Sequence, residues 1–164
     1  MAEGTKWLDH DEQVAWRGFI LGTQLLMDRL DRDLRLEHGI SLPEYEILVR
    51  LSESPGREMR MALLADALCH SRSRVTHAVA RMERAGLLER SKSGQDGRGV
   101  DAIMSQAGYD LLVRASPTHV EGVRRHLVDI AGTDFPVVGR VMNDVSDRLL
   151  AGKPASADPR RDCS

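Results

Sequence analysis

The chain has 164 residues, 41% hydrophobic and 29% charged, with a formal net charge of −2, which fits one domain-sized unit with a buried core and excludes a diffuse polybasic binder. No apolar run approaches the roughly 20 residues of a transmembrane helix, and the start MAEGTKWLDHDEQ holds no apolar export segment. A cytoplasmic protein with no membrane partner is expected.

In chain order, Asp11 to Glu37 reads as one long helix. Its apolar positions Val14, Trp16, Phe19, Ile20, Leu21, Leu25, Leu26, Leu30 and Leu34 fall on more than one face, more than packing on a single side needs. Some of that surface must find a second partner. Ser41 and Glu44 make an S-x-x-E capping box around Pro43, opening a helix with Tyr45, Ile47, Leu48 and Leu51. SESPGREMR then reads as a loop. MALLADAL is a helix with Leu64 and Leu68 one turn apart. Cys69 and His70 lead to Ser71, an N-cap, and the helix RSRVTHAVARMERA stops at Gly86. Leu87 to Arg90 form a strand, SKSGQDGRG a turn, and Val100 to Met104 the returning strand. Ser105 caps a helix that is interrupted or kinked at Pro117. A last helix runs from Val137 to Leu150, and 151–164 is a polar, Pro-containing tail expected to be disordered.

Helix, tight turn, helix and hairpin are the order of a winged helix-turn-helix, a module that reads DNA. Val75, Val79 and Met82 recur at i, i+4, i+7 and make one apolar face, so Ser73, Arg74, Thr76, His77, Arg81 and Arg84 point elsewhere. Arginines and small hydroxyls on an outward face suit a major groove. Arg90, Lys92 and Arg98 lie where a wing would follow phosphates or enter a minor groove. From His70 to Arg98 seven Lys/Arg face three acids, a local +4, whereas residues 1–50 hold ten acids and six bases, a local −4. DNA affinity should therefore fall steeply with salt.

The segment LLADALCHSRSRVTHAVARMERAGLLER, the DGRG turn and the MSQAG that opens the next helix resemble the MarR family of dimeric winged-helix transcription regulators. The resemblance spans nearly the whole chain, with Ser41 to Leu51 similar to that family's second helix. It implies a mainly α fold with a small β-wing. Residues 1–37 would be an N-terminal dimerisation helix, 38–104 the DNA-binding lobe with recognition helix 71–85 and wing 87–104, and 105–150 the C-terminal dimerisation helices. The expected DNA contacts are Ser71, Arg72, Ser73, Arg74, Thr76, His77, Arg81, Arg90, Lys92, Asp96 and Arg98. In the family the wing arginine enters the minor groove and the aspartate orients it. Two departures stand out: Arg60 occupies a position usually held by a Ser or Thr cap, and Gly97 and Gly99 flank Arg98 where a further arginine is common.

The resemblance further implies a homodimer on a pseudo-palindromic operator, modulated by a small aromatic or phenolic ligand bound between dimerisation helices and DNA-binding lobe. Trp16, Phe19 and Tyr45 are the tentative ligand contacts, with core or interface packing as the alternative use of the same rings. Enzyme readings find no support. His119, Glu121 and His126 share a helical stretch that could touch a metal only with outside help, there is no phosphate-binding Gly-Lys-Ser/Thr loop, and no cofactor is expected. Cys69 and Cys163 lack metal-site or CxxC spacing. Cys69, between the two helices of the DNA-binding pair, is either a redox switch or a small buried hydrophobe. A winged-helix module docking protein or RNA is the remaining alternative.

Overall fold

The structure is a computed structural model that describes residues 4–92 and 99–151. Helix α1 (His10–His38) opens on a capping box that the sequence carries as D-x-x-E. The Asp9 carboxylate accepts from the Glu12 N–H at 2.8 Å and the Glu12 carboxylate from the Asp9 N–H at 3.0 Å. Gly39, at φ 72°, ends it, since a left-handed stop suits a residue without Cβ. Helix α2 (Leu42–Glu53) begins with the expected box, the Ser41 N–H donating to Glu44 Oε2 at 2.9 Å. Helices α3 (Met61–Ala67) and α4 (Arg72–Arg84) follow, and the Ser71 hydroxyl accepts from the Arg74 N–H at 3.3 Å to cap α4. Gly86, at φ 72°, turns the chain into the hairpin.

Three strands make an antiparallel sheet. Strands β2 (Leu88–Lys92) and β3 (Val100–Met104) pair as the wing, with Arg90 opposite Ala102. The expected loop SESPGREMR is not all loop: Glu58–Arg60 forms strand β1, which pairs with the other edge of β3 so that Met59 also faces Ala102. Three residues cannot display an alternating pattern, and their partner lies some forty positions away, so pairing rather than propensity makes this strand.

Leu34, Ile47, Leu48, Leu51, Leu64, Val75, Val79, Met82 and Leu88 are fully buried and form one core beneath the sheet and α4. Helix α5 (Gln106–Val123), capped by Ser105, closes it with Leu111, Leu112 and Ala115. It continues as helix through Pro117, which removes the interruption, one of the two outcomes expected there. The proline is exposed, while its helical neighbours are held by burial against α1 and α2. Contact between α1 and α5 is close at Gly122, where a Cβ would stand 2.7 Å from the Leu30 side chain. The helix changes further on, in a π-helical turn at Arg124–Val128. After Gly132 the chain enters α6 (Phe135–Leu150), which starts two residues before the expected Val137, carries Pro136 in its first turn and has no buried residue.

Candidate nucleic-acid interface

Helix α4 sorts its side chains as the stripe requires. Val75, Ala78, Val79 and Met82 are buried, and Ser71, Arg72, Ser73, Arg74, Thr76 and His77 are all exposed along its first turns. The Thr76 hydroxyl donates to the Arg72 carbonyl at 2.8 Å, which fixes its rotamer.

Two expected DNA contacts have partners within the chain. The Arg81 guanidinium donates to Glu44 Oε1 at 3.0 Å. Burial pushes the Glu44 carboxyl up, but hydrogen bonds from Ser41 and Arg81 more than offset this and hold it below the usual carboxylate range. Arg90 grips Glu83 through both its side chain, at 2.8 Å from Nε, and its backbone N–H at 3.1 Å. That hydrogen bond holds Glu83 below its ordinary value. Arg81 therefore ties the recognition helix to α2, and Arg90 ties the wing strand to the recognition helix. Lys92 is exposed at the end of β2. Asp96 and Arg98 lie outside the described residues.

Between the start of α3, the outer side of α4 and the wing lies a cleft of about 460 Å³, lined by Arg60, Met61, Ala62, Arg72, Thr76, Arg90, Gly99 and Val100. Sequence reasoning placed Arg72, Thr76 and Arg90 here but treated Arg60 only as a poor cap. Arg60 indeed makes no side-chain cap bond to α3; its guanidinium instead lies under Gly99. A basic side chain at a position that prefers Ser or Thr was the available signal.

The aromatic residues do not form one group. Trp16 and Phe19 stack on each other, centroids 6.1 Å apart, on exposed α1, whereas Tyr45 is buried and packs on His119 at 4.6 Å. A second cavity, about 330 Å³, is lined by Tyr45, Glu46, Val49, Arg50, Ala67, Leu68, Cys69 and His119, without Trp16 or Phe19. Glu46, His119 and Cys69 were not anticipated there. Burial pushes the Glu46 carboxyl up and the His119 imidazole down. Cys69 is exposed, not a buried hydrophobe, and sits at φ 51°. Arg50 bonds Glu53 at 2.9 Å. His119 is half-buried, and among the described residues no group of three His, Cys, Asp or Glu side chains could hold a metal.

Among curated proteins no match is found. A sequence model described as MarR family matches residues 38–99. The chain is similar to Sco3205, a MarR family transcriptional regulator from Streptomyces coelicolor solved in complex with DNA. The identity is 38%, with 96% of this chain and 97% of that one covered and a TM-score of 0.86. It is also 38% identical to AbsC, a MarR family transcriptional regulator from the same organism, over 90% of this chain and 99% of that one, with a TM-score of 0.83. The organohalide-sensing regulator RdhR-CbdbA1625, solved with 2,4-dichlorophenol bound, shares the fold at 16% identity, covering 95% of this chain and 94% of that one with a TM-score of 0.75. Full-length similarity at this identity, together with the recognition helix, wing and sheet just described, places the chain in the MarR family of transcription regulators.

Proposed function

We propose that this regulator binds a pseudo-palindromic operator as a homodimer, reading bases with Arg72, Ser73, Arg74, Thr76 and His77 and following the backbone with the wing. The observation that carries the reading is the sorting of α4, four buried apolar residues on one side and arginines and hydroxyls exposed on the other. A relative at 38% identity was solved on DNA, which supports the same use here. Two-fold symmetry supplies the second half-site, about one turn of DNA away. The apolar residues left exposed on α1 and α6, Trp16, Leu21, Leu25, Val141 and Leu149 among them, support a second copy as the partner that covers them. The protein acts by binding rather than catalysis, within the cytoplasm.

The cavity beside Tyr45 and His119 joins α2 of the lobe to α5 of the arm, and we assign it to a small effector. Its lining supports one flat ligand, because the Tyr45 and His119 rings, in tilted contact, present aromatic faces there and Val49 and Leu68 supply apolar walls. The test is titration of DNA fragments selected by the purified protein. A tight, salt-dependent shift of the selected duplex over random duplex is expected, with sedimentation at twice the 18.2 kDa chain mass. Equal affinity for both duplexes would point to a helix that docks protein or RNA.

A further inference from the structure

Gly99 stands at the root of the wing and is not among the residues with positive φ, so the backbone does not demand a glycine there. Space does. A Cβ built on Gly99 falls 2.5 Å from Nη2 and 2.8 Å from Cζ of Arg60, and closest of all to its Nε. The Arg60 guanidinium therefore occupies the volume a side chain at 99 would fill. Arg60 is also the last residue of β1, opposite Asp101 of β3, and the residue from which α3 starts. Its side chain thus begins where sheet and helix-turn-helix meet, reaches beneath the wing, and lines the cleft with Arg72 and Thr76 of the recognition helix.

We propose that Arg60 is a positioning residue for DNA binding: its guanidinium, seated under Gly99, sets the height of the wing relative to the recognition helix. The proposal rests on the reading that the wing touches DNA. Arg90 supports the division of labour, because its bond to Glu83 fixes β2 to α4 while Arg60 supports the β3 side of the same hairpin. Each strand of the hairpin is thus held from its own side.

The atoms facing Gly99 are the end of a flexible side chain, so Gly99→Ala can be accommodated by moving Arg60 out of its seat rather than by unfolding. That gives a double-mutant test. Arg60→Ala and Gly99→Ala should each weaken operator binding about tenfold, with hydroxyl-radical protection lost at the operator flanks and kept at the centre. The double variant should be no worse than Arg60→Ala alone. Arg60→Lys, which keeps the charge without the planar fork, should fall between wild type and Arg60→Ala, and thermal unfolding should report all variants folded. Additive losses, or full affinity in both single variants, would overturn the proposal. Arg98→Ala separates this from the reading beneath it. Loss in Arg98→Ala with none in Arg60→Ala removes only the anchor, and silence in all variants removes the wing contact as well. Coupled loss at Arg60 and Gly99 beside a silent Arg98→Ala upholds the anchor and removes only the wing-tip contact.

Discussion

The DNA-binding lobe and the two arms treat the same residue types in opposite ways. In the lobe, Leu48, Leu51, Leu64 and Val79 are completely shielded from solvent. On the N-terminal part of α1 and along α6, Trp16 is 54% exposed, Leu25 61% and Val141 55%. Apolar area left in water is association energy not yet realised, on the order of 25 cal/mol per Å². The lobe is therefore complete as one chain. Under the proposed dimer a second copy covers the exposed part of the arms, while the C-terminal turns of α1, through Leu30 and Leu34, and α5, through Leu111, Leu112 and Ala115, belong to the lobe's core.

The largest expected effect breaks the lobe. Leu48→Ala should cost about 2–5 kcal/mol, the range for a fully buried leucine, and lower the melting temperature by a similar amount at any protein concentration. Its counterpart in the arms is Leu25→Asp with Val141→Asp, which under the proposed dimer should leave a folded chain sedimenting at 18.2 kDa with operator affinity reduced to that of a half-site. If the doubly charged variant stays dimeric, the two arms are not the interface and the contrast between the regions loses its meaning.

Next in size come the base contacts. Arg74→Ala and His77→Ala remove exposed side chains from the outer side of α4, so each should weaken specific sites by roughly 1–3 kcal/mol. Melting should be unchanged, because neither belongs to the buried stripe. Competition titration against random duplex reads the difference, and full discrimination in both variants would mean that α4 docks by another face.

The ion pair that holds α4 to α2 should matter less. Glu44→Gln weakens the capping box at Ser41 and the bond to Arg81 together, and about 1–2 kcal/mol of stability should go with them. The folded Glu44 carboxyl lies below its ordinary value. Its contribution is thus present above the unfolded glutamate pKa, about 4.3, and is lost as pH falls through the folded value. Acid unfolding curves should show the wild type losing stability in that range more steeply than Glu44→Gln. Identical curves would assign the acid limb to other carboxylates.

Much of this arrangement was legible in the chain because it is local. The Ser41–Glu44 box, the Ser71 cap, the Gly86 stop and the Val75–Val79–Met82 stripe each span a few residues and depend on backbone periodicity alone. What was not legible depends on distant partners. Strand β1 exists because β3 offers it an edge, and α5 survives Pro117 because burial on its other side outweighs one missing hydrogen bond. Arg81 and Arg90 look like any outward arginines until Glu44 and Glu83 are brought to them by the fold. Trp16, Phe19 and Tyr45 all fall within the first 45 positions, yet the first two lie on an arm and the third in the lobe's core. The wing tip, where Asp96 and Arg98 were expected to act, falls outside the described residues and stays a proposal.

The smallest expected effect sits where the two regions join. Tyr45 belongs to α2 of the lobe and His119 to α5 of the arm, and their rings are in contact. Burial holds the His119 imidazole below its ordinary value, and its Nδ1 has no hydrogen-bond partner among the described residues. Between that ordinary value, about 6.5, and the lower folded one, the unfolded chain binds the proton first. Stability from this contact is therefore present above pH 6.5 and is lost as pH falls below it. His70 shifts in the same direction, through burial and then the charge of Arg74, so only part of the slope belongs to His119. Denaturant unfolding at pH 7.5 and 5.5 separates the two: His119→Phe keeps a ring against Tyr45 but cannot titrate, so it should lose less stability between those pH values than the wild type. If a flat effector occupies the adjoining cavity, it should bury His119 further and steepen the same slope in the wild type while leaving His119→Phe unchanged. An equal loss in wild type and His119→Phe would show that the joint between lobe and arm is not proton-linked.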